Sequence, residues 1–355
     1  MELRTIIRNS ARLAAAILLL AWPCAAAPAR HRPRAAKRAA PAEMAPVVSA
    51  AGTLLVEPDM GRAPLLSAIN GASRSIELVI YEINDGKITD ALIKAARRGV
   101  GVRVLYNFHS FELAKHDPNA KTIKKLAAAG VETRKAPAAF AHTHQKTFIF
   151  DRATAVIMTF NLNSRHFTKI RDFGFITSDR ALAGEIEQVF EADWNGAAAA
   201  PSQPPLVWSP DNARTKILAL INSANRSLDL YSEEALDREG LKALAGAAAR
   251  GVRVRFITPR LKGLGKKAVK DVNEPGREML ASKGVQVKAG KGKGLYYHAK
   301  MILADNGFAG QKAYLGSQNL SETSMDKNRE LGILLEDPAI LGALNSVFDK
   351  DWNSN

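Results

Sequence analysis

The sequence contains one short motif twice, and this duplication limits the possible folds more than any other feature. His-x-Lys-x-x-x-x-Asp runs from His144 to Asp151 and again from His298 to Asp305. The surrounding sequence repeats in the same order: 72–78 matches 224–230, 98–104 matches 250–256, and 189–195 matches 347–353. Such repeats indicate a duplicated structural unit. We therefore expect two similar domains, an N-terminal half over residues 51–198 and a C-terminal half over residues 206–355.

Hydrophobic periodicity predicts an α/β fold for each half, because runs with strand period alternate with runs of helical period. In the N-terminal half, helices are predicted at 63–73, 88–98 and 121–129, and strands at 75–83, in the valine-rich run after the second helix, and at 148–151, 155–159 and 173–177. In the C-terminal half, the corresponding elements are predicted at 215–224, 227–231, 238–250, 275–283, 301–305, 313–316 and 331–335. The stretch from Pro201 to Pro205 marks the boundary between the halves.

Each half also carries the same set of polar side chains after its motif. They are Thr159, Asn161 and Asp172 in one half and Ser317, Asn319 and Glu330 in the other. Lysine and asparagine donate hydrogen bonds to phosphate oxygens, and a histidine attacks phosphorus or exchanges a proton. An acid beside an imidazole fixes its tautomer. The set therefore predicts phosphate ester chemistry, with one histidine as nucleophile and the other as acid.

With these residues the chain resembles the phospholipase D superfamily in its two-motif form, from about Thr53 to Trp352. The resemblance implies a metal-independent phosphodiesterase with a covalent phosphohistidine and no cofactor. It implies that His144 is the nucleophile and that His298 protonates the leaving group. The phosphate would be bound by Lys146, Lys300, Asn161 and Asn319, with the hydroxyl groups of Thr159 and Ser317 as further donors.

The same resemblance assigns the remaining motif residues. Asp172 and Glu330 would orient the histidines. Asp151 and Asp305 are grouped with the catalytic motif, and they look like structural partners at the end of each motif strand. The N-terminal half departs from the family twice: Met158-Thr159 replaces the usual Gly-Ser, and Asp172 replaces the more common glutamate.

The family resemblance also implies an architecture. Each half would be an α-β-α sandwich with a mixed sheet, and a pseudo-twofold axis would relate the two. One active site per chain is expected, because each half supplies a single motif histidine. We accordingly expect a monomer with no obligate protein partner.

The first 50 residues are expected to lie outside the two domains. Residues 1–27 read as a signal peptide, with Arg4, Arg8 and Arg12 before an apolar segment, so an exported protein is expected, periplasmic or secreted. An uncleaved anchor is the alternative. Residues 28–50 read as a basic linker rich in Ala and Pro, either a solvated spacer or an element attracted to anions. Cys24 is the only cysteine, so the cleaved chain would contain no disulfide.

The expected function is hydrolysis of phospholipid head groups by a phospholipase D-type enzyme, or transfer to another alcohol. The partner would be a phospholipid at a membrane surface. A nuclease is the second possibility, since the net charge is +15 and nucleic acid is a phosphodiester. A catalytically silent module that binds anionic lipid or nucleic acid is the third. Glu82 and Glu234 occupy matching places after the first strands, where they either line the cleft or are solvated strand ends.

Overall fold

A computed structural model describes residues 45–108, 117–263, 270–290 and 294–354. The predicted signal peptide and linker residues 28–44 lie outside the described residues. The end of the predicted linker does not, because Val47–Ser49 forms strand β1, which pairs with β2 (Gly52–Glu57) in an antiparallel arrangement. Val47 packs against the hydrophobic core. The prediction that the linker extends to residue 50 is therefore wrong.

The N-terminal half is built on a mixed sheet with the strand order β1-β2-β8-β7-β6-β3-β4-β5. Its strands β3, β4 and β5 are parallel, and the other neighbours are antiparallel. After β2 the elements are α1 (Ala63–Gly71), β3 (Ser75–Ile80), α2 (Gly86–Arg97), β4 (Gly101–Tyr106), α3 (Ala120–Ala128), β5 (Glu132–Lys135), β6 (Thr147–Phe150), β7 (Thr154–Met158), α4 (His166–Lys169), β8 (Ile170–Thr177) and α5 (Arg180–Asn195).

The C-terminal half has a second mixed sheet, with the order β12-β11-β10-β14-β15-β16-β9. Its elements are β9 (Leu206–Ser209), α6 (Ala213–Ser223), β10 (Ser227–Tyr231), α7 (Arg238–Ala249), β11 (Arg253–Pro259), α8 (Glu274–Ser282), β12 (Gln286–Gly290), β13 (Tyr296–Tyr297), β14 (Met301–Ala304), β15 (Lys312–Gly316), α9 (Glu322–Asp326), β16 (Glu330–Leu335) and α10 (Pro338–Ser354). Strand β13 crosses to the other half, where it pairs in parallel with β8.

The two sheets repeat one topology. The order β2-β8-β7-β6-β3-β4-β5 corresponds strand for strand to β9-β16-β15-β14-β10-β11-β12, with the same parallel and antiparallel neighbours. Every residue of the motif strands β6 and β14 is buried, as expected when both faces of a sheet are covered. The predicted α/β fold with two duplicated domains and mixed sheets is thus confirmed. Among the described residues, no helix is long and apolar enough to cross a bilayer.

Buried ion pairs join the halves at equivalent positions. Arg171, before the acid of the N-terminal half, donates to Asp351 of α10 at 2.7 Å. Arg329, before the acid of the C-terminal half, donates to Asp193 of α5 at 3.1 Å. Loss of one partner from such a buried pair costs about 3–5 kcal/mol. The pairs therefore hold each acid-bearing strand against the closing helix of the other half.

Candidate active site

His144 and His298, one from each half, line a single cavity of about 750 Å³. Both rings are largely buried, with side-chain exposures of 13% and 8%. Each histidine lies shortly before its motif strand, since β6 begins at Thr147 and β14 at Met301. The cavity lies where the two predicted catalytic imidazoles come together.

Each histidine is paired with the acid of the other half. Nδ1 of His144 lies 2.8 Å from Glu330, and Nδ1 of His298 lies 2.9 Å from Asp172. Burial would raise the pKa of Asp172, but the charge of His298 and the hydrogen bonds of His166 and His298 outweigh it, and its pKa falls below the usual range. The pKa of Glu330 is likewise lowered, because His144 outweighs its burial. Both acids are ionised, so each accepts a hydrogen bond from Nδ1–H.

Backbone hydrogen bonds between the halves explain why each histidine pairs with the acid of the opposite half. The N–H groups of His144 and Gln145 donate to the carbonyl of Arg329, the residue before Glu330, at 2.9 and 3.1 Å. The C-terminal motif makes the equivalent bonds, at 3.2 and 3.0 Å, from His298 and Ala299 to Arg171. Each motif segment therefore lies beside the acid of the opposite half.

Lys146 and Lys300 are buried close to their histidines, with 1% of each residue exposed. The ammonium of Lys146 donates to the carbonyl of His144, and that of Lys300 donates to the carbonyl of His298 at 2.5 Å. Burial lowers the pKa of Lys146, since the charged form is poorly solvated there. An anionic phosphate oxygen beside the ammonium would favour the charged form. Neither lysine is among the residues that line the cavity, so the predicted phosphate-binding role stays a prediction.

Asn161 and Asn319 also line the cavity and are nine-tenths or more buried. Among the described residues, neither amide oxygen has a hydrogen-bond partner. Each of these oxygens is inaccessible and accepts hydrogen bonds only, so a phosphate oxygen would be bound by the amide NH2 group. Their position agrees with the predicted phosphate-binding role, which stays a prediction.

Two predicted phosphate donors lie elsewhere. Thr159 and Ser317 are fully buried and do not line the cavity. The hydroxyl of Thr159 donates to Asp172 at 2.6 Å, and that of Ser317 accepts from the N–H of Leu331 at 3.2 Å. Both hydroxyls hold the acid-bearing strands, and this geometry gives no support to their predicted role as phosphate donors.

The motif aspartates are structural. Asp151 accepts hydrogen bonds from the backbone N–H groups of residues 73–75, at 2.7 to 3.1 Å, and Asp305 accepts from those of residues 225–227. Both have positive φ, 52° and 51°, at the tight turn after the motif strand. Backbone hydrogen bonds lower the pKa of Asp151 to about 2 although its burial acts the other way. Neither lines the cavity, so their grouping with the catalytic residues is corrected and their reading as structural partners retained.

Sequence reasoning missed a third histidine at this site. His166 lines the cavity, and its Nδ1 lies 2.7 Å from the second carboxylate oxygen of Asp172. Its ring meets that of His298 edge-on, with 4.8 Å between centroids. In the C-terminal half the equivalent position is Ser324, whose hydroxyl donates to Glu330 at 2.5 Å. The N-terminal half thus combines the short acid Asp172 with the long side chain of His166. The C-terminal half combines the longer acid Glu330 with the short side chain of Ser324.

This correspondence predicts compensation between Asp172 and His166. Asp172→Glu crowds the imidazoles, and His166→Ser leaves a buried carboxylate oxygen without its partner, so each alone should lower kcat about 10- to 100-fold. The double variant, which copies the acid and serine of the C-terminal half, should recover most of that loss. The measurement is kcat on a phosphodiester for all four proteins, with melting temperatures as the folding control. A double variant no better than the worse single one would contradict the prediction.

Among the described residues, one group of potential metal ligands has its atoms within 4.8 Å of one another: His166, Asp172 and His298. Both Nδ1 atoms lie at ordinary N–H···O distances from the carboxylate, 2.7 and 2.9 Å. The geometry of this group is therefore that of a hydrogen-bonded triad.

The cavity wall contains further acids and aromatic rings. Glu82 and Glu234 both line it, which decides between the two readings of these residues in favour of the cleft. The residue before each of them, Tyr81 and Glu233, also lines the cavity, as does Tyr296. Tyr81 and Glu233 could have been found from the sequence, because they immediately precede Glu82 and Glu234, which the repeat had already matched.

Comparisons with known proteins agree with this architecture. The sequence matches the family described as "Cardiolipin synthase, PLD-like domain" twice, over residues 65–194 and 217–352. A cardiolipin synthase from Oceanobacillus iheyensis is 25% identical over 334 residues, which cover 81% of this chain and 65% of that relative. The matched region thus spans somewhat less than two thirds of the relative's length.

Two solved structures share the fold at low sequence identity. Phosphatidylserine synthase from Haemophilus influenzae has a TM-score of 0.65 and 14% identity, and the match covers 84% of this chain and 85% of that one. Polyphosphate kinase from Porphyromonas gingivalis has a TM-score of 0.64 and 16% identity, over 84% of this chain and 50% of that one. At these identities the likeness shows the fold alone.

Proposed function

The chain belongs to the phospholipase D superfamily, and from this premise we propose that it is a metal-independent phosphodiesterase acting on phospholipid head groups through a phosphohistidine. The crossed contacts at one cavity, His144 with Glu330 and His298 with Asp172, carry this proposal. Because the acids hold both Nδ1 atoms, Nε2 of each ring remains for chemistry. Two such rings supply the nucleophile and the acid that a double displacement at phosphorus requires.

In the proposed first step, Nε2 of His144 attacks phosphorus. Burial lowers the pKa of His144, so the ring is neutral and Nε2 carries a lone pair. The bond from phosphorus to the head-group oxygen breaks, and Nε2 of His298 gives that oxygen its proton. His298 suits this role because it lies between two carboxylates, Asp172 at 2.9 Å and Glu233 at 3.4 Å, which attract a positively charged ring.

In the second step a water molecule, or another alcohol, attacks phosphorus on the opposite side from His144. Its proton passes to Nε2 of His298, and the bond between phosphorus and His144 breaks. Lys146 and Lys300 oppose the negative charge that develops on the phosphate oxygens, with the amides of Asn161 and Asn319 as neutral donors. Both histidines return to their starting protonation states, so the cycle needs no metal.

The proposed substrate class rests on the family description and on a relative named as a cardiolipin synthase. Hydrolysis and transfer to an alcohol share the phosphohistidine, so we propose both, and the ratio depends on which acceptor reaches the cavity. We also propose that the protein is exported, on the basis of residues 1–27, and that it acts as a monomer, because one chain supplies both motifs.

One assay tests this function. Purified protein is incubated in EDTA with vesicles of phosphatidylethanolamine and phosphatidylcholine, with or without added glycerol, and separately with plasmid DNA. We expect head-group release in EDTA and a new glycerol-containing lipid when glycerol is present. Nicking of the plasmid without head-group release would replace this proposal with a nuclease. Binding to vesicles or DNA without turnover of either would replace it with a binding module.

A further inference from the structure

Two consecutive residues of the N-terminal half, Arg171 and Asp172, hold the motif histidine of the C-terminal half. The carbonyl of Arg171 accepts hydrogen bonds from the backbone N–H groups of His298 and Ala299, at 3.2 and 3.0 Å. The carboxylate of Asp172 lies 2.9 Å from Nδ1 of the His298 ring. The place of this imidazole therefore depends directly on where the backbone of residue 171 lies.

The side chain of Arg171 is anchored in the C-terminal half. It is 2% exposed, and its Nε donates a hydrogen bond to Asp351 of α10 at 2.7 Å. Asp351 also accepts a hydrogen bond at 2.9 Å from the hydroxyl group of Tyr231, at the end of β10. Both contacts lie in the half that supplies His298. Arg171 therefore ties the backbone that holds this histidine to the rest of the same half.

Arg329 and Glu330 make the equivalent contacts with the halves exchanged. The carbonyl of Arg329 accepts hydrogen bonds from the N–H groups of His144 and Gln145, at 2.9 and 3.1 Å. Its guanidinium donates to Asp193 of α5 at 3.1 Å, and its Nε lies 3.0 Å from the other oxygen of that carboxylate. Helix α5 and His144 both belong to the N-terminal half. The same anchor thus occurs once for each motif histidine.

A buried ion pair does not need to lie beside a motif histidine to stabilise a half. Asp229, which is buried, pairs with Arg255 at 2.7 Å and joins β10 to β11, and neither residue lines the cavity. A reacting group that is misplaced by about 1 Å can lower a rate about 100-fold. Ion pairs that fix the backbone beside a reacting ring therefore have a second use, which is the placement of that ring.

We propose that the aspartates of the two closing helices, Asp351 and Asp193, are positioning residues for the motif histidines, each acting through the arginine with which it pairs. This rests on the proposed function, in which the two rings do different chemistry. Asp351 sets the place of His298, so its loss impairs proton transfer to the leaving oxygen. Asp193 sets the place of His144, so its loss impairs the attack on phosphorus.

Asp351→Asn and Asp193→Asn test this inference, because each removes the charge and keeps the shape of the side chain. Two rates are measured: kcat on dihexanoyl phosphatidylcholine below its micelle concentration, and the single-turnover rate of nitrophenol release from a 4-nitrophenyl phosphodiester with protein in excess. Nitrophenolate leaves without a proton, so the second rate depends on the nucleophile and not on the acid. We expect Asp351→Asn to lower kcat on the lipid about 10- to 100-fold and to keep nitrophenol release within about threefold of wild type. Asp193→Asn should lower both rates about 10- to 100-fold.

Asp229→Asn is the matched control, since it also removes the charge of a buried pair and lies outside the cavity. It should lower the melting temperature by about as much as the other two variants and leave both rates near wild type. If either helix variant fails to fold, a milder one replaces it. Tyr231→Phe removes one hydrogen bond to Asp351, and Asp211→Asn weakens one contact to Arg329, at 3.0 Å. Each should show the pattern of the variant that it replaces, with smaller losses.

An equal loss of both rates in Asp351→Asn, or a loss in Asp229→Asn as large as in the other two variants, would show a purely structural role and overturn this inference. The expected pattern with Asp351→Asn and Asp193→Asn exchanged would support the positioning roles and exchange the chemical roles of the two rings. Wild-type protein that turns over no phospholipid but nicks DNA would overturn the proposed function, while the nitrophenol rates of the variants would still test the positioning.

Discussion

Replacing His144 with asparagine is expected to abolish the covalent intermediate and to lower kcat by at least about 10⁴-fold. Asparagine retains a side-chain donor near Glu330, so the buried acid keeps a possible hydrogen-bond partner. It has no nitrogen lone pair that can attack phosphorus. The variant should therefore fold and bind the substrate, and fail at the first chemical step. Labelling of the protein by a phosphorus-labelled substrate, stable in base and lost in acid as a phosphohistidine should be, measures the intermediate directly.

His298→Asn is the matched variant, and a change of leaving group separates the two roles. With a 4-nitrophenyl phosphodiester the leaving oxygen departs without a proton, so the first step does not need His298. We expect about one equivalent of nitrophenol per protein in a rapid burst, followed by a stall, because no base activates water in the second step. Wild-type protein should turn over continuously, and His144→Asn should give no burst.

The opposite pattern would exchange the roles of the two rings. A burst in His144→Asn together with none in His298→Asn would make His298 the nucleophile. Residual activity in both variants at more than about one hundredth of the wild-type rate would contradict a covalent mechanism at either ring, because loss of a nucleophile is far more costly than that.

The fold was predictable because the sequence states it twice. A segment such as the valine-rich run 98–104 could be checked against its copy at 250–256. The strands missed in both halves are β2 with β9 and β5 with β12, which lie at or next to an edge of their sheets. The duplication thus supported strand predictions whose sequence pattern is clear in both halves, but it did not reveal strands whose pattern is weak in both.

The site was predictable as a set of residues but not as a set of contacts. Sequence spacing shows that an acid follows each motif at a fixed distance, and nothing in that spacing says which histidine the acid touches. The contact from His144 to Glu330 joins residues 186 apart and depends on how the halves dock. His166 was missed for a related reason: its counterpart is Ser324, so the repeat does not mark it.

The departures of the N-terminal half from the family pattern belong to this same network. Asp172, shorter than the usual glutamate, accepts from Thr159, His166 and His298, so both of its oxygens are used. In the C-terminal half Glu330 also accepts three side-chain donors, from His144, Ser324 and Asn328. Each half therefore satisfies a buried carboxylate with a different set of donors, and a change at the acid has to be accompanied by a change around it.

Because each acid contacts the histidine of the opposite half, replacing the acid of one half should impair the histidine of the other half. Glu330→Gln, in the C-terminal half, should disable His144, the proposed nucleophile, because the amide does not fix the tautomer and carries no charge beside the ring. Asp172→Asn, in the N-terminal half, should instead disable His298, the proposed acid. Each should lower kcat on a natural phospholipid by about 10²- to 10⁴-fold.

The 4-nitrophenyl substrate distinguishes the two acids even though their effects on natural lipids are alike. Glu330→Gln should suppress the nitrophenol burst, because His144 must attack, whereas Asp172→Asn should keep the burst and slow only the turnover after it. If each acid served the histidine of its own half, the results would be reversed, and the interhalf hydrogen bonds from the motif segments to Arg171 and Arg329 would have no catalytic role. Because these variants change one atom in a buried group, melting temperatures within a few degrees of wild type would assign the differences to chemistry and exclude loss of folding.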